Sequence, residues 1–176
     1  MEGSMSDIKN EFTKNNDNES IEFRVGKILC SRNLSVATAE SCTGGMIASK
    51  LISYPGISQV FKEGVVTYSN EAKIKRLGVD KKTLKDFGAV SYETAVEMVK
   101  GICREARTDV GIATTGIAGP GGGSDEKPVG LVYIAIKVND KTIVKKFKFN
   151  GEREEVRIEA TLSALQMVQK ELELLE

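Results

Sequence analysis

Residues 129–138, VGLVYIAIKV, are almost continuously apolar, and no other feature constrains the fold as much. A run of this length, rich in β-branched residues, predicts a central strand buried on both faces, which requires a packed layer above and below it. Residues 35–39 (SVATA) and 109–113 (DVGIA) predict two shorter buried strands, and residues 59–67 (QVFKEGVVT) a fourth in which Gly64 marks a bulge or a close approach. Asn139 and Asp140 then turn the chain into TIVKKFKF, a half-exposed hairpin partner with Ile143, Phe147 and Phe149 facing in and Val144, Lys146 and Lys148 facing out.

Between these strands the apolar period changes to that of helices. Ile21, Val25, Ile28 and Leu29 predict a helix to about Arg32. Met46, Ile47, Leu51 and Ile52 form one face of a helix that begins near Thr43 and stops at Pro55-Gly56. Ser69 or Asn70 caps EAKIKRLG, which Gly78 closes, and a second short helix near 80–86 ends at Gly88. Ser91 caps a long helix with an apolar stripe of Ala95, Met98, Val99, Ile102, Cys103 and Ala106. Residues 152–175 form the last helix, acidic in its first turn as the macrodipole favours. The pattern predicts one α/β domain over residues 20–176, a sheet of about five strands with helices on both faces, preceded by a mobile polar leader at residues 1–19.

Composition limits the chemistry. The chain has no histidine, so a Ser-His-Asp triad, a Cys-His pair and a His-ligated zinc are all excluded within it, and a nucleophile must rely on Lys, Tyr, a carboxylate or a helix terminus. Lys+Arg and Asp+Glu balance at 25 each, leaving no basic field for nucleic acid or an anionic membrane. No apolar stretch reaches the roughly 18–20 residues of a membrane span. Cys30, Cys42 and Cys103 are odd in number and lack metal-ligand spacing, which fits a reducing cytoplasm and no metal site.

Four segments carry candidate chemistry. In TAESCTGG, Ser41 sits between a strand end and a helix start, where free N–H groups and the helix dipole favour an oxyanion, and Gly44 and Gly45 allow a substrate close to the backbone. The competing reading is a Ser or Thr cap followed by packing glycines, with Cys42 as a rival nucleophile. In VVTYSNEAK, Lys73 lies early in a helix, where the dipole opposes its charge by roughly 0.3–1 kcal/mol and favours the neutral amine a general base needs. Lys73 with Tyr68 as orienter or proton relay is a coherent partner for Ser41; an exposed lysine and a strand-edge tyrosine are the plain alternative. TTGIAGPGGG, with Gly116 and Gly119 among its glycines, offers N–H groups to an anion yet fits neither a P-loop nor a dinucleotide fingerprint. Arg153 and Arg157 lie one turn apart and either grip a phosphate or pair with acids such as Glu154.

Taken in order, TAESCTGG, GVVTYSNEAK, GAVS, TGIAGPGGG with EKPVG, and GEREEVR closely resemble the C-terminal domain of the CinA competence/damage-inducible family, over about residues 21–173. The resemblance implies a three-layer α/β/α sandwich and nicotinamide-nucleotide amidohydrolase activity, the conversion of nicotinamide mononucleotide and water to nicotinic acid mononucleotide and ammonia without a metal or other cofactor. The family's Ser, Tyr and Lys fall on Ser41, Tyr68 and Lys73. Backbone around Cys42, Thr43, Gly44 and Gly45 would then hold the oxyanion. The glycine loop with Arg153 or Arg157 would bind the 5′-phosphate, and Glu40 would either face the cationic pyridinium or serve the fold. The family also implies a homodimer. Two departures stand near the glycine loop, Asp125 and Thr114, the latter replacing an apolar residue. The alternatives to this activity are a non-catalytic nucleotide-binding or competence-associated interaction module and a Ser-Lys amidase for another small amide.

Overall fold

The computed structural model describes residues 19–175; most of the polar leader read at residues 1–19 lies outside them. Five strands form one mixed sheet: β1 (Val36–Glu40), β2 (Phe61–Val66), β3 (Val110–Gly116), β4 (Leu131–Val138) and β5 (Lys141–Lys148), in the spatial order β2-β1-β3-β4-β5. β1 runs parallel to both β2 and β3, while β4 is antiparallel to β3 and β5. The apolar segment of 129–138 is thus an interior strand as expected, although β3 occupies the middle of the sheet. β1 and β3 both deliver their carboxyl ends to the same edge, the position where α/β sheets place ligands.

Alternation along the strands assigns the two faces. Val36, Val110, Ile112, Val132, Ile134 and Ile136 pack under α1 (Ile21–Ser31), α2 (Met46–Ile52) and the long α6 (Arg153–Glu173). The opposite face is lined by small residues, Ala37, Ala39, Ala113 and Ala135, and receives α5 (Tyr92–Ala106) with Leu77 of α3 (Asn70–Leu77) and Leu84 of α4 (Lys81–Asp86). Small side chains there let α5 come close: a Cβ at Gly111 of β3 would stand 2.3 Å from Cys103 Sγ. The result is three layers, helices on both sides of a mixed sheet.

Most expected boundaries hold within two residues. The helix expected from Thr43 instead begins at Met46, because Gly44 and Gly45 adopt φ of +61° and +96° and keep residues 41–45 in a turn. The bulge lies between β1 and β2 where Val36 faces Phe61 and Ala37 faces Glu63, and Gly64 is the close approach, with Thr38 Oγ1 3.0 Å from where its Cβ would be. Val144, expected to face out, is half-buried and packs against the α5 side, so β5 has apolar residues on both faces. Among the described residues no helix is long and apolar enough to cross a membrane.

Helix α5 crosses α3 with Gly101 against the Leu77 carbonyl, where a Cβ would reach 2.1 Å from that oxygen. Gly101→Ala is therefore expected to lower unfolding free energy by about 1–3 kcal/mol, measured by chemical denaturation, because backbone must shift. Gly121→Ala, whose Cβ would meet nothing within 4 Å, is the control and should change it by less than about 0.5 kcal/mol.

Candidate active site

Ser41 follows β1 directly and is 8% exposed. Its N–H donates to Thr114 O at 3.1 Å, which seats it beside the end of β3. Lys73 reaches it from the other side. Ser69 caps α3 by accepting from the Ala72 N–H, and the helix so started points Lys73 inward, 1% exposed, with Nζ 3.2 Å from Ser41 Oγ. The same nitrogen donates to Thr67 O at 2.7 Å. Burial pushes the lysine pKa below its ordinary value, with the Cys42 sulfur acting more weakly in the opposite sense. Lys73 Nζ donates both to Thr67 O and to Ser41 Oγ; a neutral amine in the same place, with an N–H kept on Thr67 O, would turn its lone pair to the Ser41 hydroxyl, an arrangement able to activate a serine without histidine.

The rival nucleophile is much less apt. Cys42 is buried, and desolvation raises its thiol to about 11, outweighing the backbone N–H groups of Cys42 and Thr43 that act to lower it. It is a thiol at neutral pH, and the thiolate is the reactive form.

Glu40 does not face a ligand. Its carboxylate is fully buried and accepts from Thr43 Oγ1 at 2.7 Å, Gly45 N–H at 2.9 Å, Ile47 N–H at 3.1 Å and Ala48 N–H at 2.8 Å. It caps α2 from the preceding strand, so the helix N-terminus expected to serve an oxyanion is already occupied by an anion. Thr43 has one hydroxyl hydrogen and gives it to Glu40; in the 2.8 Å contact between Thr43 Oγ1 and Thr114 Oγ1 the donor is therefore Thr114. Thr114, one of the two departures from the family pattern, extends the cap network into β3.

With these bonds assigned, the main-chain N–H groups of Cys42 and Thr43 are the two across residues 41–48 that donate to no oxygen among the described residues; the Cys42 sulfur is the group they act on. They lie next to Ser41 in sequence, in residues that are themselves buried. They are the donors available to a developing oxyanion.

The two arginines separate. Arg153 donates to Gly119 O at 2.8 Å and to the Tyr68 hydroxyl at 3.2 Å. Arg157 donates through Nε to Cys42 O and through Nη2 to Thr43 O, both at 3.1 Å. Neither pairs with a carboxylate among the described residues, so the pairing with Glu154 is not formed. Tyr68 is 63% exposed and makes no hydrogen bond to Ser41 or Lys73; the group that Lys73 Nζ donates to besides Ser41 is the Thr67 carbonyl. Gly116 belongs to β3, where a Cβ would stand 2.7 Å from Leu131 O, and Gly119 offers its carbonyl to Arg153 rather than an N–H to an anion.

Comparison with known proteins shows the family. The CinA C-terminal domain matches residues 18–172. The chain belongs to that family. A Clostridium perfringens protein named for competence-damage induction is 60% identical over 154 residues, 88% of this chain and 37% of that protein. A CinA-like protein of Kosmotoga olearia is 54% identical over the same shares. The chain thus spans little more than a third of the length of these curated relatives. The crystal structure of the competence/damage inducible protein from Agrobacterium tumefaciens superposes with a TM-score of 0.84 at 42% identity, covering 87% of this chain and 93% of that one. In this CinA domain the site is made by the ends of β1 and β3, the start of α3 and one face of α6.

Two members of the site have no local signature in the sequence. The Thr67 carbonyl is a backbone group, independent of residue type. Arg157 sits more than a hundred residues from the turn it holds, and only its spacing from Arg153 drew attention to it.

Two measurements test the electrostatics. Glu40→Gln replaces an acceptor-only group with one bearing an NH2 that faces other donors, and should lower unfolding free energy by about 2 kcal/mol or more in chemical denaturation. For Lys73, the folded pKa lies below the unfolded one, so the unfolded chain binds more protons between the two values and stability rises with pH there. Titrating unfolding free energy from neutral pH to about 10.4, the ordinary lysine value, should show this rise in the wild type and its loss in Lys73→Met.

Proposed function

We propose that this CinA domain is an amidohydrolase that converts nicotinamide mononucleotide and water to nicotinic acid mononucleotide and ammonia. The observation that carries the chemistry is the contact between a buried lysine of lowered pKa and a serine at the carboxyl end of a parallel strand. The substrate comes from the family resemblance and fits the Arg153 guanidinium, which no carboxylate neutralises among the described residues.

Neutral Lys73 takes the Ser41 proton as Oγ attacks the carboxamide carbon, and the carbonyl oxygen gains negative charge against the Cys42 and Thr43 N–H groups. The ammonium of Lys73 then gives its proton to the leaving nitrogen, the C–N bond breaks, and ammonia departs from a nicotinoyl ester on Ser41. Water attacks that ester, Lys73 accepts the water proton and returns it to Ser41 Oγ, and the nicotinic acid product leaves. Thr67 O holds one Lys73 N–H throughout and keeps the lone pair aimed at Ser41. Arg153 is placed to exchange its neutral partners, the Tyr68 hydroxyl and Gly119 O, for the 5′-phosphate. Tyr68, exposed at the mouth and bonded to Arg153, contributes to binding and offers an aromatic surface to the pyridinium.

Ammonia release from nicotinamide mononucleotide, compared with free nicotinamide and the dinucleotide, is the direct assay. Ser41→Ala and Lys73→Met should each reduce it by about 10²–10⁴-fold, and Cys42→Ala should stay within about threefold of wild type. The rate should increase with pH as Lys73 loses its proton, with a midpoint below 10.4. Wild-type turnover in Ser41→Ala, or loss only in Cys42→Ala, would falsify the nucleophile assignment.

A further inference from the structure

We propose that Arg157 is the positioning residue of the oxyanion pocket: by holding the carbonyls of Cys42 and Thr43 from behind, it turns the Thr43 N–H toward the acyl oxygen. The inference rests on the amidohydrolase reading above and gives Arg157 a task different from that of Arg153 one turn earlier.

Planarity of the peptide bond carries the argument. In a trans peptide the C=O and the N–H of the same unit point in opposite directions. The unit whose oxygen Arg157 Nε holds at 3.1 Å is the one whose nitrogen belongs to Thr43, and that N–H donates to no oxygen among the described residues. Fixing the oxygen on the α6 side therefore directs the N–H away from α6. The next unit is held in the same manner, its oxygen on Arg157 Nη2 at 3.1 Å and its Gly44 N–H on Ser41 O at 3.1 Å.

The turn needs such a clamp. Residues 41–45 are in neither sheet nor helix, so no ladder or helical hydrogen bond fixes the 42–43 peptide, whose orientation is set by ψ of Cys42 and φ of Thr43. A flipped unit would present a carbonyl where the oxyanion forms and repel it. Glu40 does not prevent this flip, because its four bonds go to the Thr43 hydroxyl and the N–H groups of residues 45, 47 and 48. A guanidinium suits the task, since its planar fork spans two successive carbonyls and stays charged at any working pH. A Cβ at Gly44 would come within 3.2 Å of Arg157 Nη2, so the turn is also shaped to admit the guanidinium.

The test uses the full chain and its Arg157→Met and Arg157→Lys variants, with two substrates and one analogue. The substrates are nicotinamide mononucleotide and nicotinamide riboside, which lacks the phosphate. The analogue is pyridine-3-boronic acid, which forms a tetrahedral adduct on a serine and so requires the oxyanion donors without requiring an amide. Arg157→Met is expected to lower kcat by about 10²-fold on both substrates, leave both KM values within about twofold, and weaken the boronate adduct in parallel. Arg157→Lys, which keeps the charge but not the fork, should fall between the two, and it serves if the methionine variant does not fold. A KM increase confined to the phosphorylated substrate would assign Arg157 to the phosphate and overturn the proposal. So would full kcat in Arg157→Lys, or a lowered kcat with an unchanged boronate affinity. Failure of the wild type to release ammonia, with a boronate adduct still dependent on Arg157, would sink the substrate and leave the positioning role standing.

Discussion

A fully buried carboxylate organises this molecule. Glu40 ends β1, and its side chain satisfies three of the N–H groups that α2 would otherwise leave without partners, together with the Thr43 hydroxyl. Burying a carboxylate is costly unless its oxygens are fully bonded, and this one is. Strand, turn and helix thereby become one rigid piece, on which Ser41 is a fixed point rather than a loop residue. The main-chain of the same residue accepts from Thr67 N–H, so β2, which leads to Tyr68 and Lys73, is tied to the same anchor.

The reactive pair follows from that anchor. A lysine can replace histidine as a base only if it is neutral, and burial shifts the Lys73 pKa in that direction. Its partners are neutral: Lys73 Nζ donates to the Thr67 carbonyl and to Ser41 Oγ, and no carboxylate among the described residues pairs with it. The cost is a buried lysine that opposes folding below its unfolded pKa, which is the usual relation between a reactive site and stability. Glu40 leaves the main-chain N–H groups of Cys42 and Thr43 unused, and α6 brings the guanidinium of Arg157 to the carbonyls of the same two residues.

Much of the architecture was legible from periodicity. The apolar segments became strands, the heptad-like stripe of α5 became the layer over Ala37, Ala39, Ala113 and Ala135, and the caps at Ser69 and Ser91 were found in place. The start of α2 was misplaced because two glycines with positive φ cannot be told from helical glycines by residue type. Val144 was misassigned because alternation along β5 predicts one dry face, whereas α5 extends far enough to cover part of the other. At the site, Ser41 and Lys73 were readable as a pair once histidine was excluded. Tyr68 was expected to join them, but the chain direction after β2 carries its hydroxyl to Arg153. For Glu40 the hydrogen bonds match the structural one of its two readings, and Arg157, read either as gripping a phosphate or as pairing with acids, donates to two carbonyls of the turn after Ser41.

The sequence by itself determined the layer order, the absence of a histidine base and the residue types able to do the chemistry, because those depend on local pattern and composition. Which groups meet was decided only by the tertiary structure. Lys73 reaches Ser41 because β2 lies parallel beside β1 and delivers α3 to the same sheet edge. Arg157 reaches the turn because α6 packs across the face that α2 begins on. The lowered pKa of Lys73, and the direction in which the turn presents its N–H groups, depend on burial and on partners far away in the chain, and spacing along a sequence carries no record of either.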